Sequence, residues 1–248
     1  MTGADYGAVR VGAFMGYRIL SDLAGFDTAP GDRSGYVHVA DPRWHGYLAN
    51  VGALTFLDYE HEIPGTLNGA AFLSRYQGTT DPVTRVDPSC TYAVWKPTAH
   101  PIYEHERVSE WAQLLRTGDS PAGMSVESDA TDGSSTDEAV ARRLGALMYQ
   151  SHASYSACGL GSEGTDMLVA LARSAGPTEG IFGAKITGGG SGGTVAILGH
   201  RHAGPRVRQI AAAYSEQTGR SAYVFEGSSP GSAAVGVMTV NAGGVSTK

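Results

Sequence analysis

Residues 183–198, which read GAKITGGGSGGTVAIL, decide the fold of this chain. At their centre is a run of five glycines and one serine: Gly188, Gly189, Gly190, Ser191, Gly192 and Gly193. Each end of the run joins a short apolar segment that favours extended backbone, so the stretch predicts strand, glycine loop and strand. Glycines leave backbone N–H groups uncovered and permit positive φ, and such a loop can therefore approach an anion closely.

Two well-known phosphate-binding motifs do not fit this loop. No Gly-Lys-Ser or Gly-Lys-Thr follows the run, as a P-loop requires. The glycines also do not open a helix with G-x-G-x-x-G spacing and an acidic residue about 20 positions later, as a dinucleotide-binding fold requires. We therefore expect the chemistry of this loop to come from its backbone.

Composition and charge argue against several classes of protein. The 248 residues carry a net charge of −6 without a cluster of Lys and Arg, so nucleic acid is not an expected partner. Cys90 and Cys158 lie far apart without a metal-ligand spacing, which predicts free thiols in a cytoplasmic chain. The N-terminus lacks a signal-peptide pattern, and no run of about 18 apolar residues exists. We expect a soluble, cytoplasmic protein without a membrane partner.

The first 117 residues are predicted to be mainly helical. The predicted elements are helices at 5–23, 44–59, 67–76 and from Pro101 onward, with short strands at 36–39 and 92–95. Residues 118–137 are rich in Ser, Thr, Asp and Gly and have little apolar surface, so we expect a flexible linker there.

Residues 138–248 are predicted to form an α+β domain. Local signals mark its helix ends: a capping box at Ser135 and Glu138, an N-cap at Ser162, a break at Gly176, a start at Pro205 and a stop at Gly219. Besides the glycine-loop hairpin, strands are expected at 222–225 and 235–240. Adjacent strands joined without a helix indicate an antiparallel sheet with helices on one face.

Histidines and carboxylates near residue 100 are the other candidates for chemistry. His100 and His105 flank Glu104, yet no H-E-x-x-H spacing is present, and we do not expect a metal site. Glu104 and Arg107 stand at i and i+3, which predicts an intrahelical ion pair worth about 0.2–0.5 kcal/mol if exposed. Ser154, Ser156 and Ser162 do not lie in a G-x-S-x-G pattern, so they give no support for an esterase. Pattern alone assigns no catalytic residue.

Several blocks of the sequence, taken in order, resemble the GHMP kinases. Residues 185–193 are similar to the third conserved motif of that family. The other blocks, which resemble its galactokinase and L-arabinokinase branch, are residues 3–16, 100–108, 151–162 and 225–231. The resemblance covers nearly the whole chain. It implies a C-terminal α+β domain with an antiparallel, ferredoxin-like sheet and helices on one face, preceded by extra N-terminal helices.

The resemblance also implies roles for individual residues. Tyr6 matches a tyrosine that contacts the sugar in galactokinase-like enzymes. Gly188–Gly193 match the glycine loop that lines the active-site cleft, and Lys185 and Thr187 flank that loop as further candidates. Members of the family transfer the γ-phosphoryl group of ATP, with Mg²⁺, to a sugar hydroxyl, which implies L-arabinose or galactose as the substrate.

Three features of the family are not found in this sequence. They are the phosphate loop of P-x-S-x-G-L-S-S-S type, the N-terminal sugar-specificity segment, and the Met-Asp-Gln block with the carboxylate near the attacking hydroxyl. We therefore expect the C-terminal half of a sugar 1-kinase that is incomplete alone: either a piece of a split or truncated gene, or a chain that works with a separately encoded N-terminal half. Two alternatives stay open: a non-catalytic sugar-responsive or scaffold protein, and a gene remnant.

Overall fold

The computed structural model describes residues 3–117, 136–188, 193–227, 234, 236, 238–241 and 244–247. Its α-helices are α1 (Gly3–Leu23), α2 (Ala53–Tyr59), α3 (Gly69–Tyr76), α4 (Trp95–Thr117), α5 (Thr136–Ala157), α6 (Glu163–Ala175) and α7 (Gly204–Thr218). Its strands are β1 (Thr28–Pro30), β2 (Gly35–Val39), β3 (Thr66–Asn68), β4 (Gly78–Thr79), β5 (Thr91–Ala93), β6 (Ile181–Thr187), β7 (Thr194–Gly199), β8 (Met238–Asn241) and β9 (Gly244–Thr247).

The strands form four small sheets among the described residues. The order β1-β2-β4 contains one antiparallel and one parallel pair, and the pairs β3-β5, β6-β7 and β8-β9 are antiparallel. With helices packed against them, they confirm the expected α+β class. The glycine-loop sheet is a two-stranded hairpin in the described part of the chain. No helix there is long and apolar enough to cross a bilayer.

Helices from the first half of the chain enclose the larger apolar core. Tyr17 of α1, Phe56 of α2, Phe72 of α3 and Ile102 of α4 are buried in it. Burying an aliphatic or aromatic side chain of this size stabilises the fold by about 1.5–3 kcal/mol relative to leaving it exposed. This core fixes α1 against α4, whose later turns then reach the second half of the chain.

The second half is built on the β6-β7 hairpin. Ile181 and Ala184 of β6 pack on Val169 and Ala172 of α6, and Ile210 of α7 closes the same apolar cluster. Ser162 caps α6 by accepting a hydrogen bond from the Thr165 N–H, and Gly219 ends α7 with φ of 67°. Both helix ends were predicted from sequence and are confirmed.

Helix α5 lies directly against the backbone of β6. At Gly145 a Cβ atom would stand 1.9 Å from the Phe182 carbonyl oxygen, and at Gly183 it would stand 2.4 Å from the Gly145 Cα. Side chains at either position would hold the two elements apart. The glycine pair therefore sets the distance between α5 and β6.

Three predicted elements are wrong in their bounds or type. Residues 221–227 have no regular structure, although Tyr223 and Phe225 alternate as in a strand, because no described strand pairs with them and both remain 78% exposed. The predicted helix at 44–59 is reduced to a 3-10 turn and α2, because Gly46 and Gly52 take positive φ.

The third difference concerns α4, which begins at Trp95 instead of Pro101. The Trp95 and Val94 N–H groups donate to the carbonyls of Pro64 and Gly65, and these bonds hold the entry to the helix. Pro101 lies inside α4, where its ring costs one main-chain hydrogen bond but does not stop the helix. The strand predicted at 92–95, just before this helix, is present as β5 and pairs with β3. Of the predicted linker at 118–137, residues 118–135 lie outside the described residues, as does Ser135 of the predicted capping box.

Both cysteines are free, as expected. Cys90 is exposed, whereas Cys158 is buried and its thiol donates to the Lys96 carbonyl oxygen at 3.4 Å. Burial raises the pKa of the Cys158 thiol to about 11. Cys158 therefore behaves as a small apolar side chain of the core.

The α5-β6 contact yields a stability prediction. Gly145→Ala would force a Cβ into the Phe182 carbonyl, and we expect a loss of about 1–3 kcal/mol in the free energy of unfolding, as for other overpacked sites. Gly7→Ala in α1 is the control, because a Cβ there meets nothing within 4 Å. Alanine should stabilise that helix by up to about 1 kcal/mol. Urea denaturation of both variants measures the difference, and equal midpoints would contradict the close approach.

Candidate functional site

The glycine loop leaves and re-enters the hairpin through two glycines that have positive φ. Thr187 pairs with Thr194 as the last rung of the β6-β7 ladder. Immediately beyond it, Gly188 and Gly193 have φ of 79° and 107°, values that side chains rarely allow. The other predicted loop residues, Gly189, Gly190, Ser191 and Gly192, lie outside the described residues.

Lys185 of β6 takes part in a charged cluster between three elements. Its Nζ lies 3.1 Å from Oε1 of Glu104 in α4, and the same carboxylate accepts hydrogen bonds from Arg107 Nε at 2.7 Å and from Ser151 Oγ of α5 at 2.5 Å. The side chains of Glu104 and Arg107 are only 21% and 15% exposed. The predicted Glu104–Arg107 pair is present, but it is largely buried and not an isolated surface pair.

The electrostatics of this cluster favour an ionised Glu104. Burial raises the pKa of the carboxyl group, but the hydrogen bonds from Ser151 and Arg107 and the positive charges of Lys185 and Arg107 outweigh it and hold the pKa below its usual range. One N–H group of the Lys185 ammonium is used in the bond to the Glu104 carboxylate. Lys185 therefore links β6 to α4.

An open cavity of about 320 Å³ lies beside the charged cluster. Glu104, Arg107, Ser151 and Lys185 line one part of it, and the rest is apolar: Val108, Trp111, Ala112, Leu115, Leu147, Met148 and Ala196. The Nη2 atom of Arg107 is buried without a hydrogen-bond partner in the described part of the chain.

His152 of α5 braces the strand just before the glycine loop. The Ile186 N–H donates to His152 Nδ1 at 3.3 Å, so the ring proton belongs on Nε2, which faces Asp166 Oδ1 at 3.1 Å. Ser156 donates to the same Asp166 oxygen at 2.9 Å. Burial lowers the pKa of His152, although the Asp166 charge opposes it, and the neutral ring is the form that can accept from Ile186.

Tyr155 of α5 reaches the loop itself. Its hydroxyl donates to the Gly188 carbonyl oxygen at 3.0 Å. The ring stands edge-on to His100 with centroids 5.1 Å apart, and His100 Nδ1 lies 2.8 Å from Ser154 Oγ. Burial lowers the pKa of His100 despite the nearby Glu104.

Tyr6, the candidate sugar contact, lies on the first turns of α1 and is 47% exposed. Burial raises the pKa of Tyr155, and the charge of Tyr6 raises it further. The two phenols are therefore close enough to interact. Tyr6 thus lies within electrostatic reach of Tyr155, the residue whose hydroxyl contacts Gly188. Thr187 is half-buried at the base of the glycine loop, and Lys185 is bound to Glu104.

Sequence reasoning missed the residues of α5 that organise the site: Ser151, His152 and Tyr155. All three stand in a block that resembles the kinase family, but the pattern gives them no role. Ser151 and Tyr155 are four positions apart and His152 lies between them, so all three stand on neighbouring parts of one helix face. This spacing was the signal in the sequence that could have grouped them. In the described ranges no three His, Cys, Asp or Glu side chains gather as metal ligands.

The neutral state of His152 yields a pH prediction. Because its folded pKa lies below the unfolded value of about 6.5, the stability that it contributes is complete above that value and is lost as the pH falls through the folded pKa. When the pH is lowered from 7.5 to 5.5, the free energy of unfolding should therefore fall less for His152→Gln than for wild type. His100 shifts in the same direction and remains in both proteins.

His61→Gln at an exposed position is the matched control and should follow wild type. Urea denaturation at both pH values supplies the free energies, and NMR titration of the His152 ring gives its pKa directly. A pKa of 6.5 or higher for His152 would contradict the assignment.

Comparison with known proteins agrees with this architecture. Residues 137–217, which run from α5 to α7, match the family model for the GHMP kinases C terminal domain. The chain is similar to L-arabinokinase of Arabidopsis thaliana, with 35% identity over 259 aligned positions. That alignment takes in 96% of this chain and 23% of the relative, so the chain spans about a quarter of the relative's length. The chain thus contains a GHMP kinases C terminal domain, and nearly its whole length is similar to part of an L-arabinokinase.

Proposed function

We propose that this chain is the C-terminal part of an ATP-dependent sugar 1-kinase of the L-arabinokinase or galactokinase type. The observation that carries the proposal is the hairpin that presents Gly188 and Gly193 at positive φ beside Tyr155 and Tyr6, in a chain that contains a GHMP kinases C terminal domain. In this proposal Tyr6 contacts the sugar, and Gly188–Gly193 with Thr187 line the cleft. Lys185 contributes through its bond to Glu104, which fixes β6.

The proposed reaction moves the γ-phosphoryl group of ATP to the anomeric hydroxyl of a monosaccharide. The bond from the γ-phosphorus to the bridging oxygen breaks, a bond from the sugar oxygen to that phosphorus forms, and the hydroxyl proton is released. Transfers of this kind depend on positioning and on charge stabilisation, for which a loop of bare backbone N–H groups is suited. L-Arabinose and galactose are the proposed substrates.

ATP and Mg²⁺ are the proposed cofactors, and the described residues fit only part of that requirement. The ends of the glycine loop can lie close to an anion, but Lys185 is bound to Glu104 and no acidic cluster for Mg²⁺ is found within the described residues. We propose that the phosphate loop and the catalytic aspartate are supplied by an N-terminal kinase half, either in a longer form of this protein or in a separate chain.

The proposed division of the chain follows from this assignment. Residues 1–117 lead from the sugar-binding lobe, 118–137 link the two parts, and 138–248 form the kinase C-terminal domain with the glycine loop at 188–193. Free thiols and ATP-dependent sugar phosphorylation suit the cytoplasm, which is the proposed location.

A reconstitution experiment tests the proposed activity. The chain would be purified alone and together with the segment encoded upstream of it, and each preparation given ATP, Mg²⁺ and L-arabinose or galactose. We expect ADP release and a sugar 1-phosphate, detected by mass spectrometry, only when both parts are present.

The same experiment separates the alternatives. A folded, co-purifying pair that forms no sugar phosphate would contradict the kinase proposal. Saturable sugar binding by the chain alone in calorimetry, without turnover by the pair, would instead indicate a non-catalytic sugar-responsive protein.

The sugar contact of Tyr6 makes a second prediction for the active pair. Tyr6→Ala should raise the KM for the sugar about 10-fold or more and leave the KM for ATP within about 2-fold. The substitution removes an aromatic ring that contacts the sugar in this proposal but does not contact ATP. Tyr47→Ala, at another exposed tyrosine, is the control and should not change either constant. An unchanged sugar KM in Tyr6→Ala would exclude Tyr6 from the site.

A further inference from the structure

The carbonyl group of Gly188 is the point where the hairpin ladder ends and the glycine loop begins. Thr187 still pairs with Thr194, but Gly188 has already turned to a φ of 79°. Without a side chain, the peptide unit that leads out of β6 can rotate at low cost. Something outside the ladder must therefore fix its orientation if the loop is to keep one shape.

We infer that Tyr155 is a positioning residue that orients the glycine loop by holding the Gly188 carbonyl. The Tyr155 hydroxyl is 3.0 Å from that oxygen. Within the described residues, this is the side-chain hydrogen bond that reaches the start of the loop. The loop's proposed chemistry comes from its backbone N–H groups. Fixing one peptide plane at its entry hence fixes the direction in which those groups start.

The Tyr155 ring is itself held in place, so its hydroxyl is a fixed donor and not a freely swinging one. The edge-on contact with His100 at 5.1 Å restrains the ring, and Ser154 in turn holds His100 at 2.8 Å. His100 belongs to α4 and Tyr155 to α5, so the Gly188 carbonyl is held relative to both helices. The same two helices carry Glu104 and His152, which brace the strand below.

This contact contributes to orientation more than to global stability. The hydrogen bond lies at the surface, where water can replace either partner when it is broken, and such bonds contribute little to the net stability of a fold. A variant that lacks only the hydroxyl is therefore expected to fold normally. Its effect should be confined to the loop and to the ligand that the loop meets.

Tyr155→Phe tests the inference in the full chain. Hydrogen exchange, followed by mass spectrometry of a peptide covering residues 186–194, should be about 3- to 10-fold faster in the variant, with peptides from α7 unchanged. Tyr149→Phe is the matched control: it removes the same atom from the same helix six residues earlier, where the ring packs against Arg173 at 4.2 Å. The control should exchange like wild type.

A kinetic test is also possible, and it rests on the proposed function. In the active pair, Tyr155→Phe should raise the KM for ATP about 3- to 10-fold with a smaller change in kcat, while Tyr149→Phe changes neither. Exchange decides the inference independently of activity. Equal exchange of residues 186–194 in wild type and Tyr155→Phe would overturn it even if the kinase is active, and faster exchange would support it even if wild type phosphorylates no sugar.

Discussion

The contact between α5 and β6 is the constraint on which the rest of the site depends. Two glycines, Gly145 and Gly183, let a helix and a strand meet through their backbones. At this distance the later turns of the same helix reach the end of the strand, where His152 accepts from Ile186 and Tyr155 donates to Gly188. A wider spacing would lengthen both hydrogen bonds, which are already 3.3 Å and 3.0 Å long, and a hydrogen bond weakens as its donor and acceptor move apart.

The charged cluster ties the first half of the chain to the second. Glu104 comes from α4, Ser151 from α5 and Lys185 from β6, and the carboxylate accepts from all of them. Charges taken out of water are costly unless they are paired and hydrogen-bonded, and here each oxygen has at least one donor. Removing the Glu104 carboxylate would leave Ser151, Arg107 and Lys185 without their shared acceptor. The cluster therefore favours one relative placement of α4 and β6 over nearby alternatives.

Sequence patterns predicted those parts of the fold that are determined locally. The cap at Ser162, the stop at Gly219 and the strands on both sides of the glycine run depend on residues within a few positions of each other. The contacts of the site are of another kind: Lys185 and Glu104 are 81 positions apart, and Ser151 and Glu104 are 47 apart. Spacing along the chain carries no information about such convergence. At Pro101 a local pattern gave a wrong prediction. Proline favours the start of a helix, but main-chain hydrogen bonds of Val94 and Trp95 had already begun this helix upstream.

The two cysteines differ in a way that affects chemical handling of the protein. Cys158 is enclosed between α5 and the start of α4, and its thiol keeps its proton well above neutral pH, whereas Cys90 lies at the surface beside β5. Thiolates, not thiols, attack electrophiles. A maleimide dye at neutral pH thus attaches to the natural sequence at Cys90 alone. This single attachment point allows fluorescent labelling without a redesigned cysteine.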